Sequence, residues 1–281
     1  MTIEHFFEEI LPAVERYGKY ALLIQKVACL GYKGDSDNEA ERAFTEADLI
    51  VQEGISRALK KLSNKGYNFR LLAEEDSPYN HEFSKKSNTL VALDPIDGTL
   101  LYTRGHPWFS IIVSIFQDKC IQGALVHTPA DGRTYCASHD IEESWVWLGG
   151  KKEPWKVNPL AKGVVSMGAP KTLIDALIKE GIPAFQFGTE DIDPRMELNS
   201  MLRGEIAGFF KKQASCFDWG PISFIVEKGE GFVSDFNGNK DRIHKYWKAS
   251  INREGKLESI IATGNKKIHD ILIDVINRHK Y

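Results

Sequence analysis

The sequence lacks the features that would place it in a membrane or on a nucleic acid. No apolar run reaches the roughly 18 residues that a membrane-spanning helix requires. The N-terminal segment has neither the basic start nor the small-residue cleavage site of a signal peptide, so we expect a cytoplasmic protein. A net charge of −3 gives no reason to expect a nucleic-acid polymer as partner, and without a long apolar run we expect no membrane partner.

Cysteine is scarce and widely spaced. The four cysteines are Cys29, Cys120, Cys136 and Cys216, and none forms a Cys-x-x-Cys pair. Structural zinc sites and disulfide frameworks depend on clustered or regularly spaced cysteines. We therefore expect reduced and mostly buried thiols.

Three common phosphate or metal motifs are also missing. No G-x-x-x-x-G-K-[ST] sequence occurs, which excludes a P-loop. Asp94 and Asp97 are three residues apart, whereas haloacid-dehalogenase-type phosphatases place their two aspartates two apart, which argues against a covalent aspartyl-phosphate. The acidic loop at residues 35–46 has Ala40 at the glycine position of an EF-hand, so we expect no calcium loop there.

Apolar periodicity predicts helices interleaved with strands. A helix is predicted from Ile3 to about Leu30 and a second from about Glu46 to Leu62. Strands are predicted in "YNFRLLAEED", "TLVALD", "FSIIVSIFQD", "CIQGALVHT" and "RTYCAS". This order indicates a layered α/β (α+β) architecture.

The pattern renews from about residue 154. Strands are predicted in "KGVVSMGA", "IPAFQFG" and "IAGFFKK", and helices in "KTLIDALIKEG", "ELNSMLRGE", "FDWGPISFIVEKGEG" and "IHDILIDVINRHK". A break falls near "LGGKKEPWKVNP". We predict one domain over residues 1–281, with an N-terminal α+β lobe at 1–150 and a C-terminal α/β lobe at 151–281.

Acidic residues follow several of the apolar runs. Glu74 and Glu75 come after "FRLLA", Asp94 and Asp97 come after "LVAL", and Asp218 opens a predicted helix. Strand ends gather functional groups in α/β folds, and oxygen ligands suit hard cations such as Mg²⁺. Taken alone, "DPIDG" is equally a turn signal, and the paired glutamates are a solvated strand end. Their joint occurrence favours a metal site.

Three motifs in this order carry a family resemblance. "AEED", "LDPIDGT" and "FDWGPISFIVEKGEG" resemble the inositol monophosphatase family, which includes inositol phosphatases, bacterial fructose-1,6-bisphosphatases and 3'-phosphoadenosine nucleotidases. "FTEADLIVQEGI" resembles the upstream T-x-A-D helix start of that family, and "IIATGNKKIHDIL" resembles its C-terminal end. The resemblance implies a layered αβαβα sandwich and a Mg²⁺-dependent phosphoric monoester hydrolase.

The resemblance also implies the metal ligands. Two or three Mg²⁺ ions would be held by Glu74, Asp94, the Ile96 carbonyl, Asp97 and Asp218. Lithium inhibition and a homodimer are implied by the resemblance as well. For the homodimer the resemblance is the sole basis, because no stretch of the sequence marks an interface.

The catalytic roles come from the same resemblance. Thr99, assisted by Asp48, would orient or deprotonate the attacking water, with Glu74 beside them. The N–H groups of Gly98 and Thr99 would bind the phosphate at a helix start. Glu75 would lie behind the ligands, near a third metal.

Lys211 departs from the inositol-specific pattern, in which a glutamate binds ring hydroxyls seven residues before the last ligand. A lysine favours an anion; a solvated strand-end lysine beside Lys212 is the other interpretation.

The predicted substrate is an inositol monophosphate-like small phosphorylated metabolite, with a 3'(2'),5'-bisphosphate nucleotide or fructose-1,6-bisphosphate as the alternative. A catalytically inactive metal- or ligand-binding regulatory protein is a further hypothesis, which release of phosphate would separate from an enzyme.

Overall fold

Two compact units make up the chain in this computed structural model. The first comprises Met1–Glu142 with Val146–Glu153, and the second Glu143–Trp145 with Pro154–Tyr281. The predicted division into one domain with two lobes stays a prediction. The structure describes residues 2–27, 30–32, 43–118, 120–186, 197–215, 217–240 and 256–281.

The first unit is built on a seven-stranded sheet. Its strands run in the order β3-β4-β5-β6-β7-β8-β9. Strands β3 and β4 are parallel, and the pairs from β4 to β7 are antiparallel. The elements are α1 Ile3–Ile24, β1 Leu30–Tyr32, β2 Ala43–Thr45, α2 Glu46–Asn64, β3 Arg70–Ala73, a 3-10 helix Pro78–Glu82, β4 Thr89–Asp97, α3 Thr99–Thr103, β5 Ser110–Gln117, β6 Cys120–Thr128, β7 Arg133–Ser138, β8 Trp145–Leu148 and β9 Lys151–Pro154.

The second unit holds a five-stranded mixed sheet in the order β11-β10-β12-β14-β13. Strand β10 is parallel to both of its neighbours, and β14 is antiparallel to β12 and β13. The elements are β10 Val164–Ser166, α4 Lys171–Lys179, β11 Ala184–Gln186, α5 Asn199–Leu202, β12 Gly208–Ser215, α6 Trp219–Lys228, β13 Phe232–Ser234, β14 Lys256–Thr263 and α7 Lys266–Arg278. The predicted mixed α/β class is confirmed.

Strand β4 is buried along most of its length. Its residues from Leu90 to Ile96 are buried, which explains why the sequence reads there as a continuous apolar run rather than an alternating one. Helix α2 packs on β4, and α1 packs on β5, β6 and α2. The parallel register sets Ala73 opposite Leu93, so the residues that follow β3 emerge beside the end of β4.

Helix α1 is shorter than its sequence pattern predicts. It ends at Ile24 rather than near Leu30. Gln25 is the capping residue, and its amide donates hydrogen bonds to the carbonyls of Tyr102 and His106 at 3.1 and 2.7 Å. The helix therefore ends where its capping residue forms two tertiary hydrogen bonds, before the apolar periodicity of the sequence ends.

Six of the described strands were not predicted. They are β1, β2, β8, β9, β13 and β14, most of them three or four residues long. The predicted helix "ELNSMLRGE" is only the short α5. Residues 33–42, which include most of the acidic loop at 35–46, lie outside the described residues, as do Cys29 and Cys216. Cys120 and Cys136 are free thiols. None of the helices in the described residues combines the length and apolarity needed to cross a bilayer.

Gly18 allows α1 to approach the sheet. A Cβ at this position would lie 2.8 Å from Cδ2 of His127 and 2.9 Å from Cγ of Pro129. His127 is 1% exposed, and its Nδ1 lies 2.9 Å from the Thr134 hydroxyl, so burial and a hydrogen bond both hold the ring in place. Burial lowers the pKa of His127 to about 4, so the ring is neutral in the folded protein at neutral pH.

Gly18→Ala should therefore destabilise the protein although alanine is the better helix former. The added methyl group overpacks a rigid contact, and we expect a loss of about 1–3 kcal/mol in the free energy of unfolding. Urea unfolding followed by circular dichroism measures it. Lys19→Ala, on the exposed face of the same turn, is the matched control. An unchanged or higher stability of Gly18→Ala would contradict this packing.

Candidate functional site

The carboxyl end of β4 carries a bulge at the acidic motif. Asp94 lies opposite Ile112 of β5 and Asp97 lies opposite Ser110, so the register shifts between the two aspartates. A carboxylate oxygen of Asp94 lies within 4.8 Å of one of Asp97. Bulges redirect side chains and are common next to active sites. The interpretation of "DPIDG" as only a turn is wrong, because the strand continues through Asp97.

Gly98 turns the chain from the strand into the short helix α3. It adopts φ +91°, a left-handed conformation that favours glycine. Its carbonyl accepts hydrogen bonds from the N–H groups of Leu101 and Tyr102 at 3.0 Å. Thr99 follows as the first residue of α3, and its hydroxyl donates to the Ile96 carbonyl at 2.9 Å. Hydrogen bonds thus connect the end of β4, Gly98 and the start of α3.

Asp48 reaches this segment from the start of α2. Its Oδ2 accepts hydrogen bonds from the N–H and the hydroxyl of Thr45, at 2.8 and 2.6 Å, in a capping box. Its other oxygen, Oδ1, lies 3.4 Å from the Thr99 hydroxyl. The side chain of Asp48 is only 1% exposed. The helix start therefore fixes a buried carboxyl against the predicted catalytic threonine.

The pKa of Asp48 is raised to about 7. Burial is the main cause, and the negative charges of Glu74 and Glu75 raise the pKa further. The two hydrogen bonds from Thr45 oppose this shift. A carboxyl that titrates near neutrality suits a group that accepts and returns a proton during a reaction.

Glu74 and Glu75 follow the end of β3 next to the motif. The N–H of Glu74 donates to the Leu93 carbonyl at 3.0 Å, which extends the pairing of β3 with β4 by one residue. Glu75 is buried, with 6% exposure, and both of its backbone polar groups bond to the side chain of Gln52. The simpler interpretation as a solvated strand end is therefore wrong for Glu75.

Asp218 and Lys211 belong to the second unit. Asp218 occupies the N-cap position of α6, and its Oδ1 accepts a hydrogen bond from the Ser215 hydroxyl at 3.2 Å. Lys211 is half-buried in the middle of β12, with Nζ 3.2 Å from the Met167 sulfur and 5.2 Å from the centre of the Trp219 ring. The strand continues to Ser215, so the strand-end interpretation of Lys211 is wrong.

The first unit brings most of the predicted residues into one neighbourhood through the contacts described above. They are Asp48, Glu74, Glu75, Asp94, Ile96, Asp97, Gly98 and Thr99. The atoms that these residues offer to a metal ion are oxygen atoms, from carboxylates and one carbonyl. Such a set of ligands fits a hard divalent cation rather than a soft one. The metal-binding and catalytic roles of these residues stay predictions.

Three contributing residues were missed by the sequence reasoning. The spacing from Thr45 to Asp48 is a capping-box signal that could have been used. Gln52 lies one helical turn after Asp48 and so shares its face of α2. Ser110, whose hydroxyl donates to Asp97 Oδ2 at 3.0 Å, carries no local signal, because only the strand register brings it there.

Comparison with known proteins decides the family. The model of the inositol monophosphatase family matches residues 10–281, nearly the whole chain. This chain belongs to the inositol monophosphatase family. Since that family is one of phosphatases, membership supports a hydrolase.

Curated relatives in this family carry different names. Nus factor SuhB of Pseudomonas aeruginosa is 20% identical over 279 residues, covering 92% of this chain and 91% of the relative. An inositol monophosphatase of Dictyostelium discoideum is 22% identical over 255 residues, covering 85% and 88%. The 3'(2'),5'-bisphosphate nucleotidase CysQ of Haemophilus influenzae is 25% identical over 168 residues, covering 59% and 57%.

Solved structures share the fold over almost the whole chain. An IMPase of Thermotoga maritima has a TM-score of 0.70 and 21% identity, covering 98% of each chain. An IMPase/NADP phosphatase, determined with NADP and Ca²⁺, has a TM-score of 0.69 and 16% identity, covering 99% of this chain and 97% of the other. The predicted fold of the inositol monophosphatase and fructose-1,6-bisphosphatase type is confirmed.

The raised pKa of Asp48 predicts how stability depends on pH in the absence of metal. The folded protein binds this proton more tightly than the unfolded chain does, so the contribution is fully present below the usual pKa near 4 and is lost as pH rises through about 7. Relative to Asp48→Asn, the wild type should gain about 1–3 kcal/mol in the free energy of unfolding on acidification from about pH 8 to about pH 5. Urea unfolding in EDTA measures both proteins.

Groups that titrate in both the wild type and Asp48→Asn, such as His127, affect both proteins equally. Their pH dependence therefore cancels in the difference between the two free energies of unfolding. Asp175→Asn, on the exposed face of α4, is the control and should follow the wild type at each pH. Parallel curves for the wild type and Asp48→Asn would contradict the raised pKa.

Proposed function

We propose that this protein hydrolyses a small phosphate monoester by direct attack of water, with Mg²⁺ as the metal cofactor. The observation that carries the proposal is the bulged end of β4, where Asp94 and Asp97 lie together and the buried Asp48 faces Thr99. Membership of a phosphatase family supports the reaction class. A similar fold determined with bound Ca²⁺ supports a divalent cation.

The metal ligands are assigned by the oxygen donor set and the family motifs. Bound divalent ions make water more acidic and offset negative charge on the attacking and leaving oxygens. By the family motifs, the groups that would hold them are Glu74, Asp94, the Ile96 carbonyl, Asp97 and Asp218.

Thr99 and Asp48 form the proton-transfer pair in this mechanism. The Thr99 hydroxyl has a single proton and two acceptors within 3.4 Å, the Ile96 carbonyl and Asp48 Oδ1. As water attacks phosphorus, the ester P–O bond breaks and the alcohol oxygen leaves, taking up a proton from solvent. The attacking water gives its proton to the Thr99 oxygen, and Thr99 passes its own proton to the Asp48 carboxylate. The raised pKa of Asp48 makes it a suitable acceptor, and such proton transfer contributes about 10²–10⁴ in rate.

Two backbone N–H groups and one lysine are the proposed substrate contacts. The N–H groups of Gly98 and Thr99 would bind the phosphate at the start of α3, since the first N–H groups of a helix have no acceptor within the helix. An inositol monophosphate-like ester is the first substrate candidate, supported by the Dictyostelium relative. A bisphosphate is the alternative, because Lys211 is a cation and a related protein is named a bisphosphate nucleotidase. The cytoplasmic location and the homodimer stay predictions.

The Asp94→Asn variant tests the enzyme. The variant should lower phosphate release by about 1,000-fold or more, because removing a ligand forfeits several kcal/mol of charge stabilisation. Phosphate release is measured with Mg²⁺ on inositol-1-phosphate, fructose-1,6-bisphosphate and 3'-phosphoadenosine-5'-phosphate. Mg²⁺ titration by calorimetry should show weakened binding in the same variant.

Asp175→Asn controls for the loss of one carboxylate at an exposed position and should keep full activity. Wild-type activity that survives in folded Asp94→Asn at saturating Mg²⁺ would refute the assignment. If the wild type released no phosphate from any ester in the panel, the inactive regulatory protein would be favoured instead.

Lys211 should affect the choice of substrate. If it contacts a second anionic group, Lys211→Glu lowers kcat/KM for the two bisphosphates by about tenfold or more, as the loss of a charge-assisted contact of 1.5–3 kcal/mol predicts. Inositol-1-phosphate should be affected much less. Lys212→Glu is the matched control, since Lys212 is exposed and lies 5.8 Å from the Tyr281 ring. An unchanged ranking of the three esters would remove the argument for a bisphosphate.

A further inference from the structure

Gln52 is a fully buried amide in the middle of α2, and it bonds to the backbone of one acidic residue. Its Nε2 donates to the Glu75 carbonyl at 2.8 Å, and its Oε1 accepts from the Glu75 N–H at 2.8 Å. The side chain is 0% exposed. A side-chain amide has both a hydrogen-bond donor and an acceptor. It can therefore bond to the N–H and the carbonyl of one residue, as the backbone of a neighbouring strand does.

This pairing begins where the sheet ends. Strand β3 pairs with β4 up to Ala73, and the N–H of Glu74 still donates to the Leu93 carbonyl. One residue later, the donor and acceptor of Glu75 are taken over by Gln52 from the helix side. Asn80 adds a second donor to the same carbonyl at 2.8 Å. Glu74 is thus held between one bond from the sheet and a pair of bonds from the helix.

Gln52 and Asp48 lie on the same helix and contact the two segments that carry the acidic residues, one after β3 and one at the end of β4. Gln52 lies one turn after Asp48 on the same buried face of α2, and Asp48 contacts Thr99. A single rigid helix therefore fixes the relative positions of the segment after β3 and the segment after β4. The neutral amide does so without adding to the negative charge of Glu74 and Glu75.

We propose that Gln52 is a positioning residue, which fixes the backbone at Glu74 and Glu75 and thereby sets the Glu74 carboxylate for metal binding. The inference rests on the proposed function, in that Glu74 is taken as a metal ligand. Groups that orient metal ligands through hydrogen bonds typically change metal affinity by 10–100-fold when they are removed.

Gln52→Met is the test, because methionine has a similar volume and removes both hydrogen bonds. We expect the affinity for Mg²⁺, measured by calorimetry on metal-free protein, to fall by about 10–100-fold. The Mg²⁺ concentration that gives half-maximal phosphate release should rise by a similar factor. At saturating Mg²⁺ the KM for the ester should stay within about twofold of the wild type, because Gln52 is not expected to touch the substrate.

Ser56→Ala is the matched control. Ser56 lies one turn further along the same helix, is equally buried, and its hydroxyl has no hydrogen-bond partner among the described residues. It should leave the Mg²⁺ affinity unchanged, although both substitutions disturb the packing of α2. A folded Gln52→Met with wild-type Mg²⁺ affinity overturns the proposal.

A second variant covers the case in which Gln52→Met does not fold. Asn80→Ala removes one of the two donors to the Glu75 carbonyl from a half-buried side chain, and a several-fold loss of Mg²⁺ affinity is expected. Unchanged affinity in that variant also overturns the proposal. The Mg²⁺ titration needs no substrate, so a failure of the wild type to release phosphate would refute the proposed function separately from this result.

Discussion

The concentration of negative charge in a small and largely buried space is the constraint on which the first unit depends. Asp48, Glu75 and Asp94 are all under 9% exposed. Burying a carboxylate away from water is unfavourable, and neighbouring carboxylates repel one another. The raised pKa of Asp48 is the direct consequence. Such an arrangement persists only where the surrounding structure holds it in place.

Several of the supporting bonds come from backbone and neutral groups. The Ile96 N–H donates to Asp94 at 3.1 Å, the Ser110 hydroxyl donates to Asp97, and Thr45 donates twice to Asp48. Bonds of this kind satisfy carboxylate oxygens and leave the net negative charge in place. The site therefore keeps the electrostatic attraction for cations that our proposed function requires. Rigid elements on three sides, α2, β3 and β4, restrict its rearrangement.

Much of this architecture was predictable because its signals are local. The buried run before Asp94, the helix start near Asp48 and the glycine after Asp97 each follow from neighbouring residues. The length of α1 was not, since Gln25 bonds to carbonyls about 80 positions away along the chain. The bulge at Asp94 and Asp97 was also hidden, because it is a relation between β4 and the register of β5. Short strands such as β13 form through their neighbours in the sheet and have little periodicity of their own.

By itself the sequence determined the family, the fold class and the identities of the acidic residues, because motif order and apolar periodicity are properties of residues close together in the chain. Only the tertiary structure decided that Glu75 is buried, that Lys211 lies within a strand, and that Gln52 holds the backbone of Glu75. Those facts depend on distances between segments far apart in sequence. Burial and hydrogen bonding between such segments depend on how helices and strands pack together. The pattern of neighbouring residues in the sequence does not reveal that packing.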